Sequence, residues 1–363
     1  MPGSGAPGSA DLYAAAGVDV AAGDRAVELM KASVAATRRT ESVGGIGGFA
    51  GLFDASALQR FRKPLLAAST DGVGTKVAIA SMAGVYDTVG IDLVGMLVDD
   101  LVVCGAEPLF LTDYIACGRV VPERIAAIVD GVARGCKEAG TALVGGETAE
   151  HAGLLGPDEF DLAGSTTGVV EADALLGRER VRPGDALVAM ASSGLHSNGY
   201  VLVRKVFLAD AGWSLDREVP EFGRSLGAEL LEPTRIYALD ALHLTATVDV
   251  HAMSHVTGGG IADNLARVIP DGAVATIDRS TWRPPAVFAV TAGLAGTDLG
   301  ALERTLNLGI GMIAVIGTDD ADRAVEVLDA RGIPSWRCGE VSADQVAGSG
   351  DPPGRATLVG IHP

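Results

Sequence analysis

Between residues 24 and 37, apolar side chains fall at Ala26, Val27, Leu29, Met30 and Val34. That is the spacing of a helix with one buried face, and Asp24 is placed to cap it. Pro64 to Thr70 is a mostly apolar run that predicts a short buried strand. Thr88 to Val103 is apolar almost all round yet carries Asp92, Asp99 and Asp100, which predicts a buried helix whose acids need a purpose. Leu109 to Ala116 reads as a strand. Pro122 suits a first helical position and Gly140 a stop, so a helix is predicted between them. Ala142 to Val144 predicts a strand ending in a turn, Gly145-Gly146-Glu147-Thr148, and Leu162 to Val170 a further strand.

The texture changes after Glu171. A charged connector, Arg178 to Arg182, and the turn Pro183-Gly184-Asp185 lead into a second set of elements. Strands are predicted at Ala186–Ala191, Val248–Ser254, Ile310–Ile316 and Trp336–Val341. Helices are predicted at Tyr200–Asp210, Arg235–Leu244, Ile261–Val268 and Ala321–Arg331. Both halves mix strands and helices, so an α/β protein of two domains is expected, 13–172 and 173–363. A chain of 363 residues is too long for one comfortable core. The Gly/Pro/Ser-rich stretch 1–12 is expected to be a disordered tail.

Composition removes several functions. With 48% hydrophobic and 20% charged residues the chain is globular. Its mean hydropathy is positive. The longest uncharged run, Ala186 to Val203, contains Ser192, Ser193, His196, Ser197 and Asn198, which excludes a membrane helix. No basic and then apolar leader opens the chain. Four scattered cysteines without C-x-x-C predict reduced thiols in a cytoplasmic protein. A net charge of −18 argues against nucleic-acid binding. It also means that a phosphate ligand would have to be met by loop amides, a few basic side chains and metal ions.

Six segments carry candidate chemistry. Gly44-Gly45-Ile46-Gly47-Gly48-Phe49 reads as a flap that orders over a nucleotide, or as a plain surface connector. Asp71-Gly72-Val73-Gly74-Thr75-Lys76 follows a strand, and its order suits a meeting of metal and phosphate: Asp71 for the cation, glycine amides and Lys76 for the anion. It lacks P-loop spacing. Asp99 and Asp100 lie in the apolar helix, where at ~100° per residue only Asp99 shares a face with Asp92. Glu147 lies past a predicted strand end, where α/β sheets gather ligands. Carboxylates with few nearby histidines suit Mg²⁺ better than zinc. Ser192-Ser193-Gly194-Leu195-His196-Ser197-Asn198-Gly199 and Ser254-His255-Val256-Thr257-Gly258-Gly259-Gly260-Ile261 each open a helix, as anion sites or as simple caps.

Together these segments resemble the phosphoribosylformylglycinamidine cyclo-ligase (aminoimidazole ribonucleotide synthetase) family. Asp100-x4-Gly105-Ala106-x-Pro108 marks the wider superfamily, which includes thiamine-monophosphate kinase and a hydrogenase maturation protein. The Ser193-Gly194-Leu195-His196-Ser197-Asn198-Gly199-Tyr200 loop and the Gly44–Phe49 flap narrow it to the cyclo-ligase. Ala16-Gly17-Val18-Asp19, Pro233–Tyr237 and Gly309–Met312 match as well, so the resemblance runs from about Tyr13 to about Val341. The selenophosphate branch uses an N-terminal cysteine, and none precedes Cys104.

The resemblance implies the two-domain synthetase fold, with an N-terminal ATP-binding and dimerisation domain and a C-terminal domain that contributes to the substrate site. It implies ATP-dependent ring closure of formylglycinamidine ribonucleotide to 5-aminoimidazole ribonucleotide in purine biosynthesis. Asp71, Asp100 and Glu147 would hold Mg²⁺. Lys76 would neutralise phosphate charge, and His196 would work near the formyl oxygen or the ring-closing nitrogen. Gly44, Gly45, Gly47, Gly48, Phe49, Gly72, Gly74 and Thr75 would bind ATP. Ser192, Ser193, Ser197, Asn198, Thr257, Gly258, Gly259 and Gly260 would bind the substrate. Relatives often have Asn at the position of Asp99, so Asp100 is the expected ligand. The rivals are a sister phosphotransferase and a non-catalytic nucleotide-binding dimer.

Overall fold

The computed structural model describes residues 19–45, 47–344 and 353–363. The tail and Ile46 of the flap lie outside the described residues.

Helix α1 spans Val20–Ala35 and is capped by Asp19, whose carboxylate accepts the Ala22 N–H, rather than by Asp24. The Asp19 N–H is itself held by Glu150 at 3.0 Å. A contact 131 residues away therefore chooses between two acids that look alike locally.

Strand β1 (Pro64–Gly72), helices α2 (Lys76–Ala83) and α3 (Asp87–Val102), strand β2 (Glu107–Cys117), helix α4 (Pro122–Ala139) and strands β3 (Ala142–Glu150) and β4 (Phe160–Glu171) follow. They form a four-stranded sheet in the order β1-β4-β2-β3. All pairs are antiparallel except β2 with β3. Pro122 opens α4, and Gly140 closes it in the left-handed region.

Two expectations change here. β1 is an edge strand with alternating exposure, not a buried one, and Leu66 is 66% exposed. An antiparallel edge can leave one face open. Strand β3 does not turn at Gly145-Gly146 but runs on to Glu150, pairing Glu147 with Tyr114 of β2. Gly146 is there for room: a Cβ on it would lie 1.8 Å from Asp113 Oδ1.

The second unit is a six-stranded sheet. Its elements include β5 (Ala186–Ala191), α5 (Tyr200–Arg204), α6 (Ala238–Thr245), β6 (Val250–His255), α7 (Gly260–Ala266), β7 (Ala273–Asp278), β8 (Ile310–Ile316), α8 (Ala321–Ala330), β9 (Ser335–Ala343) and β10 (Arg355–Val359). The strand order is β6-β8-β5-β9-β7-β10. β5 and β8 are buried almost throughout, as their unbroken apolar runs require. α5 widens into a π-helical turn at Lys205–Asp210. Helix α6 starts three residues later than its apolar pattern predicts, because the preceding segment is tied to α3: Thr234 N–H bonds Asp92 and Tyr237 N–H bonds Asp99. No helix among the described residues is long and apolar enough to cross a membrane.

Candidate active site

The two sheets meet where α2 and α3 face the Ser192–Gly199 loop and the segment 232–237. Lys76, the first residue of α2, is completely buried there. Its Nζ donates to Asp92 Oδ1 at 2.8 Å, to the His196 carbonyl at 3.0 Å and to the Glu232 carbonyl at 2.6 Å. An ammonium has three N–H bonds, and all three are used. Lys76 therefore offers none to a phosphate in this conformation, contrary to its expected role. Burial holds its pKa below the ordinary lysine range despite the charge of Asp92. Burial likewise raises Asp92, against the pull of Lys76. Removing one member of such a pair strands a buried charge, at a cost of about 3–5 kcal/mol.

Asp92 and Asp99 lie two turns apart on the face of α3 that meets the second unit, and both are buried. Asp92 Oδ1 also accepts Thr234 N–H at 2.8 Å and Thr234 Oγ1 at 2.7 Å. Among the described residues Asp99 accepts only Tyr237 N–H, at 3.0 Å, and burial raises its pKa to about 7. Asp100 turns outward and is met by His255 Nδ1 at 2.9 Å. Burial opposes a charge on His255, but its bond to Asp100 and the nearby Asp99 and Asp71 outweigh that and raise its pKa. Asp71 joins this group: burial raises its pKa, its own Gly72 N–H at 2.7 Å works against that, and Asp100 adds to the rise.

Glu147 does not join them. With the order β1-β4-β2-β3, Asp71 and Glu147 sit on opposite edge strands. Three strand spacings separate them, about 14 Å. Among the described residues, no group of three or more acidic, His or Cys side chains is placed to hold a metal. Within one chain the fold brings together only Asp71 and Asp100 of the expected trio. Magnesium takes one or two protein carboxylates and completes its shell with phosphate oxygens and water, so the pair fits it. The flap is also on the far edge, with Gly51 tight against Val144 of β3. Gly44, Gly45, Gly47, Gly48 and a fully exposed Phe49 therefore lie across the sheet from Gly72, Gly74 and Thr75. A cavity of about 180 Å³ beneath the flap is lined by Lys31, Arg38, Ser42, Gly44 and Val144.

His196 is buried in the second unit, with φ of 60°, the left-handed region that non-glycine residues rarely enter. Its Nε2 accepts the Ser193 N–H at 3.1 Å, and its Nδ1 has no partner among the described residues. Burial, with the charges of His255 and Lys76, holds its pKa well below the usual histidine range. The ring is therefore neutral and carries its proton on Nδ1. Gly311 of β8 makes room for it: a Cβ there would lie 2.6 Å from His196 Cε1 and 2.0 Å from the Tyr237 hydroxyl.

The hydroxyls expected to meet substrate are committed elsewhere. Ser192 donates to the Gly194 carbonyl at 2.8 Å, Ser193 to the Pro233 carbonyl at 2.5 Å, and Ser197 to the Val73 carbonyl at 2.8 Å. They hold loops, and their protons are spent. Asn198 lies beside Gly258, so the Ser192–Gly199 and Thr257–Gly260 loops do converge. Within that second turn Gly260 N–H bonds the Thr257 carbonyl, and Asn264 Nδ2 holds the carbonyls of Thr257, Gly258 and Gly260. Sequence reasoning gave no role to Thr234, Tyr237 or His255, although Pro233–Tyr237 stood out as a family-matching segment and His255 lay within the glycine-rich segment before α7.

Comparison with known proteins bears on this site. The profile "AIR synthase related protein, N-terminal domain" matches residues 53–170, and its C-terminal counterpart matches 182–350. The cyclo-ligase of Myxococcus xanthus (strain DK1622) is 47% identical over 92% of this chain and 96% of its own length. That of Geobacillus kaustophilus (strain HTA426) is 48% identical over the same shares. Two solved structures share the fold. Thiamine-monophosphate kinase from Stenotrophomonas maltophilia K279a has a TM-score of 0.66 at 19% identity, covering 93% of this chain and 97% of that one. Hydrogenase maturation protein HypE in complex with ATP has a TM-score of 0.60 at 20% identity, covering 98% and 92%. Matched along nine-tenths of its length at close to half identity, the chain belongs to the phosphoribosylformylglycinamidine cyclo-ligase family.

Proposed function

We propose that this chain closes formylglycinamidine ribonucleotide to 5-aminoimidazole ribonucleotide at the expense of ATP, releasing ADP and phosphate, as a step of purine biosynthesis. The observation that carries the reading is the joining of two motif loops. Ser197 Oγ bonds the Val73 carbonyl, and Lys76 Nζ bonds the His196 carbonyl, so the Asp71–Lys76 loop and the His196 loop form one wall. Phosphoryl transfer asks for positioning and charge neutralisation, and ring closure asks for a held electrophile; one wall serves both.

ATP supplies the phosphoryl group that activates the formyl oxygen, and Mg²⁺ neutralises its phosphates. Asp71 and Asp100 are the residues that would hold the ion. His196, neutral and with an unpartnered but buried Nδ1–H, donates a hydrogen bond toward the formyl oxygen once the loops around it open to substrate, rather than shuttling a proton, because its other nitrogen is held by Ser193 N–H. The Gly44–Phe49 flap closes over the nucleotide and excludes water.

The reading includes a homodimer. The face of the first sheet that carries Leu66 and Tyr114 leaves both exposed, and pairing two such faces buries them. A dimer also lets a flap and an Asp71–Lys76 loop on opposite edges of one sheet serve one nucleotide. Four free cysteines suit the cytoplasm.

The test is direct. Purified protein incubated with formylglycinamidine ribonucleotide, ATP and Mg²⁺ yields aminoimidazole ribonucleotide, ADP and phosphate. A phosphorylated, uncyclised product would move the chain to the phosphotransferase reading, and no turnover would move it to the non-catalytic one. Light scattering during gel filtration checks the dimer.

A further inference from the structure

We infer that Lys76 is a positioning residue: by bridging Asp92, the His196 carbonyl and the Glu232 carbonyl, it holds the His196 loop against α2 and α3 and does not bind the transferred phosphate.

Three observations carry this. First, the ammonium is saturated and sealed, with partners at 2.8, 3.0 and 2.6 Å and no exposed surface. Binding a phosphate would require one of these bonds to break inside a closed site. Second, every partner outside α3 belongs to the second unit, and each flanks the same loop. The His196 carbonyl is in the loop, Glu232 adjoins the Pro233 carbonyl that Ser193 Oγ bonds, and the Tyr200 ring, 5.5 Å from Nζ, opens the helix after it. Asp92, held by Lys76, also takes both Thr234 donors, so one carboxylate ties down the 232–237 segment. Third, His196 sits at a φ of 60°, a backbone state that surroundings must impose, and the bond from Lys76 falls on that residue's own carbonyl.

The inference rests on the proposed role of His196 toward substrate. It is tested with Lys76→Met, His196→Ala and the double variant, each checked for fold by thermal unfolding. Because Lys76→Met leaves Asp92 charged and buried, Lys76→Met/Asp92→Asn, which removes both charges together, is made beside it. A lost positioning contact should lower kcat by about 100-fold while the dissociation constant for ATP moves by no more than about twofold. The double variant with His196→Ala should be no slower than the slower single variant, because Lys76 acts through that loop. Imidazole ¹⁵N NMR should show a single Nδ1–H form in the wild type and a mixture of tautomers in Lys76→Met/Asp92→Asn.

A tenfold or larger loss of ATP affinity with kcat retained, or fully multiplicative effects in the double variant, would overturn the inference. If His196→Ala turns over like the wild type, the substrate role of His196 falls instead. ATP affinity and the NMR signature then decide the role of Lys76: unchanged affinity with mixed tautomers upholds it, and an unchanged His196 signal ends it.

Discussion

Gly311→Ala tests whether the wall around His196 is as tight as its geometry implies. A Cβ at Gly311 would lie 2.0 Å from the Tyr237 hydroxyl, 2.8 Å from Tyr237 Cζ and 2.6 Å from His196 Cε1, where ordinary contact begins at 3.4 Å. Tyr237 has no exposed surface, and its hydroxyl bonds the Ala191 carbonyl at 2.8 Å. The tyrosine would have to retreat by about 1.4 Å, which breaks that bond and costs about 1–3 kcal/mol. The His196 ring would have to move by about 0.8 Å, and a displacement of about 1 Å at a reacting centre lowers kcat by about 100-fold. Steady-state turnover and denaturant unfolding read the two effects separately. Adding Tyr237→Phe removes the nearest atom but leaves the histidine contact. Gly311→Ala/Tyr237→Phe still leaves Cζ at 2.8 Å and gives up the Ala191 bond, so it should regain at most part of the stability and none of the turnover. Wild-type kcat in Gly311→Ala, or recovery of both quantities in the double variant, would refute the reasoning.

Asp113 gives a pH prediction. Burial in β2 raises its pKa to about 7. The unfolded chain binds the proton only below about pH 4, so wild-type stability should fall as pH rises from about 4 to about 7 and then level off. Asp113→Asn removes that slope and should gain on the wild type by up to about 4 kcal/mol at pH 8, measured by urea unfolding across pH. A parallel pH dependence in the two proteins would show that Asp113 ionises normally. Thr234→Val keeps the backbone bond to Asp92 but deletes the Oγ1 bond, and should cost about 1 kcal/mol in the same assay. A chelator in excess over Mg²⁺ should abolish turnover, and added Mg²⁺ should restore it; turnover that survives chelation would remove the ion from the reaction.

What sequence alone determined is local. Unbroken apolar runs specified β5 and β8 almost to the residue, and Pro122 and Gly140 bounded α4, because burial periodicity and backbone preference act over a few residues. The motif segments identified the family for the same reason: glycines, acids and hydroxyls are legible where they stand. Tertiary structure decided which partner each polar group takes. Lys76 reads as a phosphate ligand until its bonds to residues 16, 120 and 156 positions away use up its protons. Glu147 reads as a metal ligand until strand order puts it on the edge opposite Asp71. Ser192, Ser193 and Ser197 read as an anion site until each finds a backbone carbonyl. A buried donor must be satisfied, but its acceptor is whatever the fold brings within about 3 Å, and that is a property of the packed chain rather than of any window in it.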